Sequence, residues 1–161
     1  MRYIIFALAL LATPGMAQDS PIPNAAEAWA ADRTRVFDAT EVDLADFRWT
    51  ARPIIIFGDS PFDPTFQRQM ELLLDRTDEL AARDVVLITD TDPEALSTVR
   101  ERLRPRSFML ALIGKDGEIK LRKPAPWDVR EITRSIDKMP LRAQEMRDRQ
   151  NLGQYAPRPV Q

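Results

Sequence analysis

The chain has 161 residues, with 23 Lys and Arg against 25 Asp and Glu, and it contains neither cysteine nor histidine. Without those two side chains there can be no cysteine peroxidase, no dithiol oxidoreductase, no Ser-His-Asp triad and no His- or Cys-ligated zinc or haem. The slightly acidic balance lacks the basic excess of a nucleic-acid binder, and one domain is the prior for this length.

In chain order, the opening "MRYIIFALALLATPGMAQDS" reads as a secretory signal peptide. Arg2 supplies the positive start, Tyr3 to Ala12 the apolar run, Pro14 a break, and Gly15-Met16-Ala17 the small cleavage residues, with cleavage after Ala17. The run falls short of the about 20 apolar residues of a membrane span, and with no cysteine a lipid anchor is excluded. The expected destination is the periplasm or the exterior, with no membrane span after cleavage. Residues 18–43 read as an N-terminal extension with a short helix over Ala25 to Arg35. In "LADFRWT", Leu44 to Thr50, Phe47 and Trp49 are expected to pack on the sheet as a flap.

Pro53 to Phe57 is a short, β-branched apolar run, the pattern of a strand buried on both faces. Gly58-Asp59-Ser60-Pro61 is a turn, Asp63 an N-cap and Pro64 a first-turn proline. The helix they open places Phe66, Met70, Leu73, Leu74 and Leu80 on one face. Asp84 to Thr89 is a second strand, parallel to the first across a βαβ unit. Asp92 and Pro93 open a helix with Leu96, Val99 and Leu103 inward, and Pro105 ends it. Phe108 to Ile113 is a third strand, and Asp116-Gly117 predicts a type I′ hairpin turn. The fourth strand, Glu118 to Arg122, alternates charged and apolar residues, with Ile119 and Leu121 inward; its charges oppose edge pairing. A helix over Trp127 to Met139 turns Val129, Ile132, Ile136 and Met139 inward and stops at Pro140. Residues 140–161 are a short charged helix, packed through Leu141 and Met146, and a tail. The order β-α-β-α-β-β-α predicts a thioredoxin-like three-layer α/β/α domain over residues 44–139, with a mixed four-stranded sheet.

Three stretches, "FRWTARPIIIFGDSPFDP", "LIGKDGEIKLR" and "IDKMPLRAQEMR", together resemble the bacterial domain-of-unknown-function 4174 proteins. That family is peroxiredoxin-like and shares its domain with vertebrate sushi-repeat matrix proteins. The resemblance covers about Leu44 to Arg147 and implies a thioredoxin-like, exported domain without a settled activity. Peroxiredoxins are a more distant likeness. Aligned without gaps from Phe57, their threonine position falls near Asp63 and their cysteine position near Phe66, and neither matches. Arg106 takes the place of their supporting arginine. The thioredoxin cis-proline position falls near Met109, which is not a proline.

Sheet topology brings Asp59, Ser60, Asp63, Asp90, Asp92 and Arg106 to the carboxyl edge, where ligands of open α/β sheets usually sit. Asp59, Asp63, Asp90 and Asp92 are oxygen donors that could hold a hard cation. Alternatively, Arg106 and free amides at a helix start could hold a small carboxylate or phosphate. The plainer account makes Asp63 and Asp92 caps, Asp59 and Ser60 turn residues, and Arg106 their ion-pair partner. "VLITDTDPEA" is similar to the Asp-x-Asp motif of haloacid dehalogenase phosphatases, though a helix start at Asp92-Pro93 explains the same letters. Arg100, Arg102, Arg104 and Arg106 in "RERLRPR" read as a solvated helix end that complements the dipole. The expected function is an exported, cofactor-free binding or interaction module without redox activity, its partner a protein or small ligand of the envelope. The alternatives are a weak metal-dependent hydrolase using the acidic cluster and a structural envelope protein.

Overall fold

A computed structural model describes residues 24–154; the signal peptide reading falls outside them. A five-stranded sheet in the order β1-β3-β2-β4-β5 is flanked by helices on both faces. Its strands are β1 (Val36–Asp38), β2 (Arg52–Phe57), β3 (Val85–Asp90), β4 (Met109–Ile113) and β5 (Ile119–Lys123). The helices are α1 (Ala25–Ala31), α2 (Pro64–Leu74), α3 (Thr77–Ala81), α4 (Thr98–Leu103), α5 (Val129–Asp137) and α6 (Pro140–Gln154). The fold is thioredoxin-like: β1, β2 and β3 run parallel, and β4 and β5 form an antiparallel hairpin beside β2.

Residues of β2 are buried throughout, as a strand covered on both faces must be. Ile54 and Ile56 pack with Leu73 of α2, Leu80 of α3 and Ile132 and Ile136 of α5. Ile55 and Phe57 point the other way, toward Trp29 of α1, Phe47, and Val99 and Leu103 of α4.

Several expectations are corrected. The sheet has a fifth strand, β1, drawn from the supposed N-terminal extension; its three residues are too few to show a period. The helix after β2 breaks at Asp75, so Leu74 is exposed and Leu80 belongs to the separate α3. Asp92-Pro93 opens only a 3-10 turn, and Leu96 leaves it left-handed and exposed. Helix α4 then restarts on Ser97, whose hydroxyl accepts the Arg100 N–H. In the "FRWT" segment Phe47 is fully buried, whereas Trp49 is 62% exposed at φ 65°. The hairpin is not type I′, which needs positive φ at both central residues. Gly117 has φ 81° and Asp116 does not, and the Gly117 and Gly114 N–H groups bond to the Gly114 and Glu118 carbonyls. Ile119 is partly exposed rather than packed inward, and Leu121 is half-buried. Finally, α6 does not pack through Leu141 and Met146, both exposed, but through the buried Arg142.

Candidate functional site

The turn after β2 packs closely against the first turn of α2. Phe66 is buried against the turn, and a Cβ added to Gly58 would lie only 3.1 Å from Phe66 Cβ. A side chain at position 58 would therefore crowd Phe66 and the Ser60 carbonyl. The Asp63 carboxylate accepts the N–H groups of Thr65 and Phe66 at 2.7 and 3.3 Å. Those amides of the helix start are therefore already taken, which removes them as the anion cradle considered from sequence.

The other carboxylates disperse. The Asp59 carboxylate accepts the Ser107 hydroxyl at 2.8 Å, and Ser60 Oγ accepts the Phe62 N–H. Asp92 accepts the Glu94 N–H in the 3-10 turn. Asp90 is buried and engaged twice: Ser97 Oγ donates to one oxygen at 2.6 Å, and Arg100 Nε and Nη2 donate to the other at 2.9 and 2.6 Å. Arg100 also reaches the Gly58 and Asp90 carbonyls. It ties the β2 and β3 ends together and is not the solvated helix end its position in "RERLRPR" suggested. Among the described residues no three carboxylates come together as metal ligands do. Arg106 pairs with none of these acids.

Arg106 opens instead onto a cleft of about 590 Å³ that it lines with Thr65, Arg104, Ser107, Arg122 and Lys123. Arg104 is held at the left-handed end of α4 with φ 48°. The Arg122 guanidinium donates to the Leu103 carbonyl at 2.8 Å, and Lys123 Nζ lies 4.5 Å from the centre of the Trp127 ring. Among the described residues none of Arg104, Arg106, Arg122 and Lys123 has a carboxylate within 4.0 Å. Arg106 thus lies where its position in the sequence put it, at the carboxyl edge. Arg104 appears in sequence only as part of the basic helix end and Arg122 only as an edge-strand charge, and Lys123 lies one residue past the strand expected there. Their convergence comes from the hairpin, which returns Lys123 beside Leu110.

At the opposite, amino edge lies a buried ion network. Arg52, 1% exposed, donates to the Arg83 carbonyl and to Glu145 Oε1, each at 2.9 Å. Lys115 Nζ joins Asp84 at 2.8 Å and Glu145 at 3.0 Å. Arg33 holds the second Asp84 oxygen at 2.7 Å, and Arg142 pairs with Glu145 and donates to the Ala82 carbonyl. Burial acts to raise the Asp84 and Glu145 carboxyls. Lys115 and Arg33 outweigh it at Asp84, and Arg52 and Lys115 at Glu145, so both remain below their ordinary values. Arg52 and Arg142 each keep one buried Nε without a hydrogen-bond partner. Arg52, Lys115 and the Arg142–Glu145 pair come one from each of the three stretches whose resemblance was noted in the sequence.

Residues 43–145 match the family model described as "Domain of unknown function (DUF4174)". The chain belongs to this family. Among curated proteins, this DUF4174 member is 28% identical over 144 residues to the coiled-coil domain-containing protein 80 of Danio rerio. The match takes in 71% of this chain and only 17% of that protein's length. Among solved structures it is similar to the mitochondrial 2-cys peroxiredoxin of Plasmodium falciparum, at 17% identity and a TM-score of 0.45. That likeness covers 63% of this chain and 84% of the peroxiredoxin. The DUF4174 chain contains no cysteine.

Proposed function

We propose that this DUF4174 protein is an exported, non-redox binding module that takes a small anionic group, a phosphate or carboxylate, in the cleft beside Arg106. One observation carries the reading. Four cationic residues line one open cleft with no carboxylate among its lining residues, in a chain whose net charge is −2. Like charges gathered without counter-charges repel one another, and an incoming anion relieves that repulsion while gaining charge-assisted hydrogen bonds. Arginine suits the task, since its fork of donors matches a phosphate or carboxylate face-on. Export rests on the opening twenty residues, read as a signal peptide.

The test is a titration with inorganic phosphate at low ionic strength, followed by ¹H–¹⁵N correlation spectra. Shifts are expected at Thr65, Ser107 and Lys123, and Arg106→Ala should reduce affinity at least tenfold. Unmoved cleft signals at millimolar phosphate, or binding unaffected by Arg106→Ala, would sink the reading. Turnover in a phosphatase or peroxidase panel that Arg106→Ala removes would replace it with an enzymatic one.

A further inference from the structure

We infer that the β5 edge accepts an extended acidic polypeptide segment as an added strand. Strand β5 is the last of the sheet, and among the described residues no strand covers its outer side. An uncovered edge offers backbone donors and acceptors in register for one more strand. The decisive feature is where the cations lie. Arg122 pairs with Ala111 and reaches Leu103, so it stands on the α4 face of the sheet. Lys123 pairs with Leu110 and stacks on Trp127, so it stands on the α5 face, where it shares a second cleft, of about 490 Å³, with Lys138. Among the described residues Lys138 also lacks a carboxylate within 4.0 Å.

Unpaired positive charge therefore flanks the edge on both faces. A strand's side chains alternate between faces, so an added strand carrying carboxylates on each face meets a cation on each. A ligand lying on one face only would leave the other row unmet. The charge also selects against self-association, because a second copy would bring Lys and Arg against Lys and Arg. Toward the other end of the strand Lys120 is neutralised by Asp116 and Glu118, which places the attraction at the Arg122–Lys123 end. Half-buried Leu121, Trp127 and Met139 supply apolar surface beneath the added strand.

This inference shares Arg122 and Lys123 with the anion cleft but uses neither Arg104 nor Arg106, so it stands or falls separately. The probe is a fluorescein-labelled ten-residue peptide of alternating Glu-Glu and Thr-Thr pairs, which sets carboxylates on both faces of a strand, followed by anisotropy with the full domain. Binding is expected, with amide shifts over Ile119–Lys123, and none for the peptide with Lys in place of Glu. Lys123→Glu combined with Lys138→Glu should weaken binding at least tenfold, with folding checked by circular dichroism. The acidic peptide N-methylated at alternate residues should lose as much, because it keeps its charge and loses its strand hydrogen bonds. Equal binding of the N-methylated peptide would overturn strand addition in favour of charge alone. Absence of peptide binding at low salt would overturn the inference, as would dimerisation through β5 in light scattering. Arg106→Ala should leave the peptide affinity unchanged while weakening phosphate binding at least tenfold.

Discussion

The two ends of the sheet treat the same residue types in opposite ways. At the amino edge Arg52, Lys115 and Arg142 are buried or nearly so, and each has a carboxylate within 3.3 Å. At the carboxyl edge Arg104, Arg106, Arg122 and Lys123 line an open cleft without one. A buried pair cannot be broken without stranding a charge, so it acts as a structural tie. An unpaired surface cation does little for the fold, which leaves it free for the proposed anion. The lesson concerns Asp90 as well: it sits at the open end but belongs with the buried charges, since Ser97 and Arg100 occupy it.

The contrast can be broken by mutation. Glu145→Ala leaves Arg52 buried without its carboxylate, and we expect it to lower unfolding free energy by about 3–5 kcal/mol, read by urea denaturation. The same measurement on Arg106→Ala should show less than about 0.5 kcal/mol. Equal losses at both sites would erase the distinction between the ends. Asp90→Ala should come next, at about 2–4 kcal/mol, because it strands Arg100 and unpairs Ser97; a loss under about 1 kcal/mol would move Asp90 to the surface class.

Acid should dissolve the amino edge first. Asp84 and Glu145 titrate below their ordinary values of 3.8 and 4.5. Their stabilisation is complete above those values and is lost as pH falls through the lower folded ones. Melting temperature should therefore hold from neutrality to about pH 5 and then drop more steeply than in Asp84→Asn, from which that titration is absent. Parallel profiles for the two proteins would remove Asp84 from the account. The smallest effect is expected at Trp49, which lies outside both clusters. Its left-handed backbone costs roughly 1 kcal/mol or more for a residue with a Cβ, so Trp49→Gly should leave stability unchanged or raise it slightly, read by thermal unfolding.

Much of the fold was legible because local chemistry wrote it. The run Ile54-Ile55-Ile56, the Asp63-Pro64 helix start and the inward period of Val129, Ile132 and Ile136 each carry a pattern that tertiary structure had no need to override. The misses have one kind of cause. Whether Leu74 or Leu96 is buried depends on where a helix breaks or turns left-handed, which neither residue announces. The ion network was invisible because Arg52 and Glu145 lie 93 positions apart, and an arginine beside a proline reads as an ordinary strand start. Its only trace was the resemblance of three separate stretches, each of which supplies part of the network. In the cleft Arg106 was legible from its place before β4, whereas Lys123 depended on the hairpin register.

Strand β1 has a further consequence. By pairing Val36–Asp38 with Leu87–Thr89, this short segment closes the side of the sheet where β3 would otherwise be the margin. The run "VVLITD" is apolar, β-branched at most positions and uncharged until its last residue. Stripped of β1, it would be a template for intermolecular strand growth. A version starting at Thr40 should therefore precipitate or seed fibrils where the full chain stays dispersed, measurable by thioflavin fluorescence. On that outcome the N-terminal segment acts as a guard against aggregation, and proteolysis near Arg35 should disarm it.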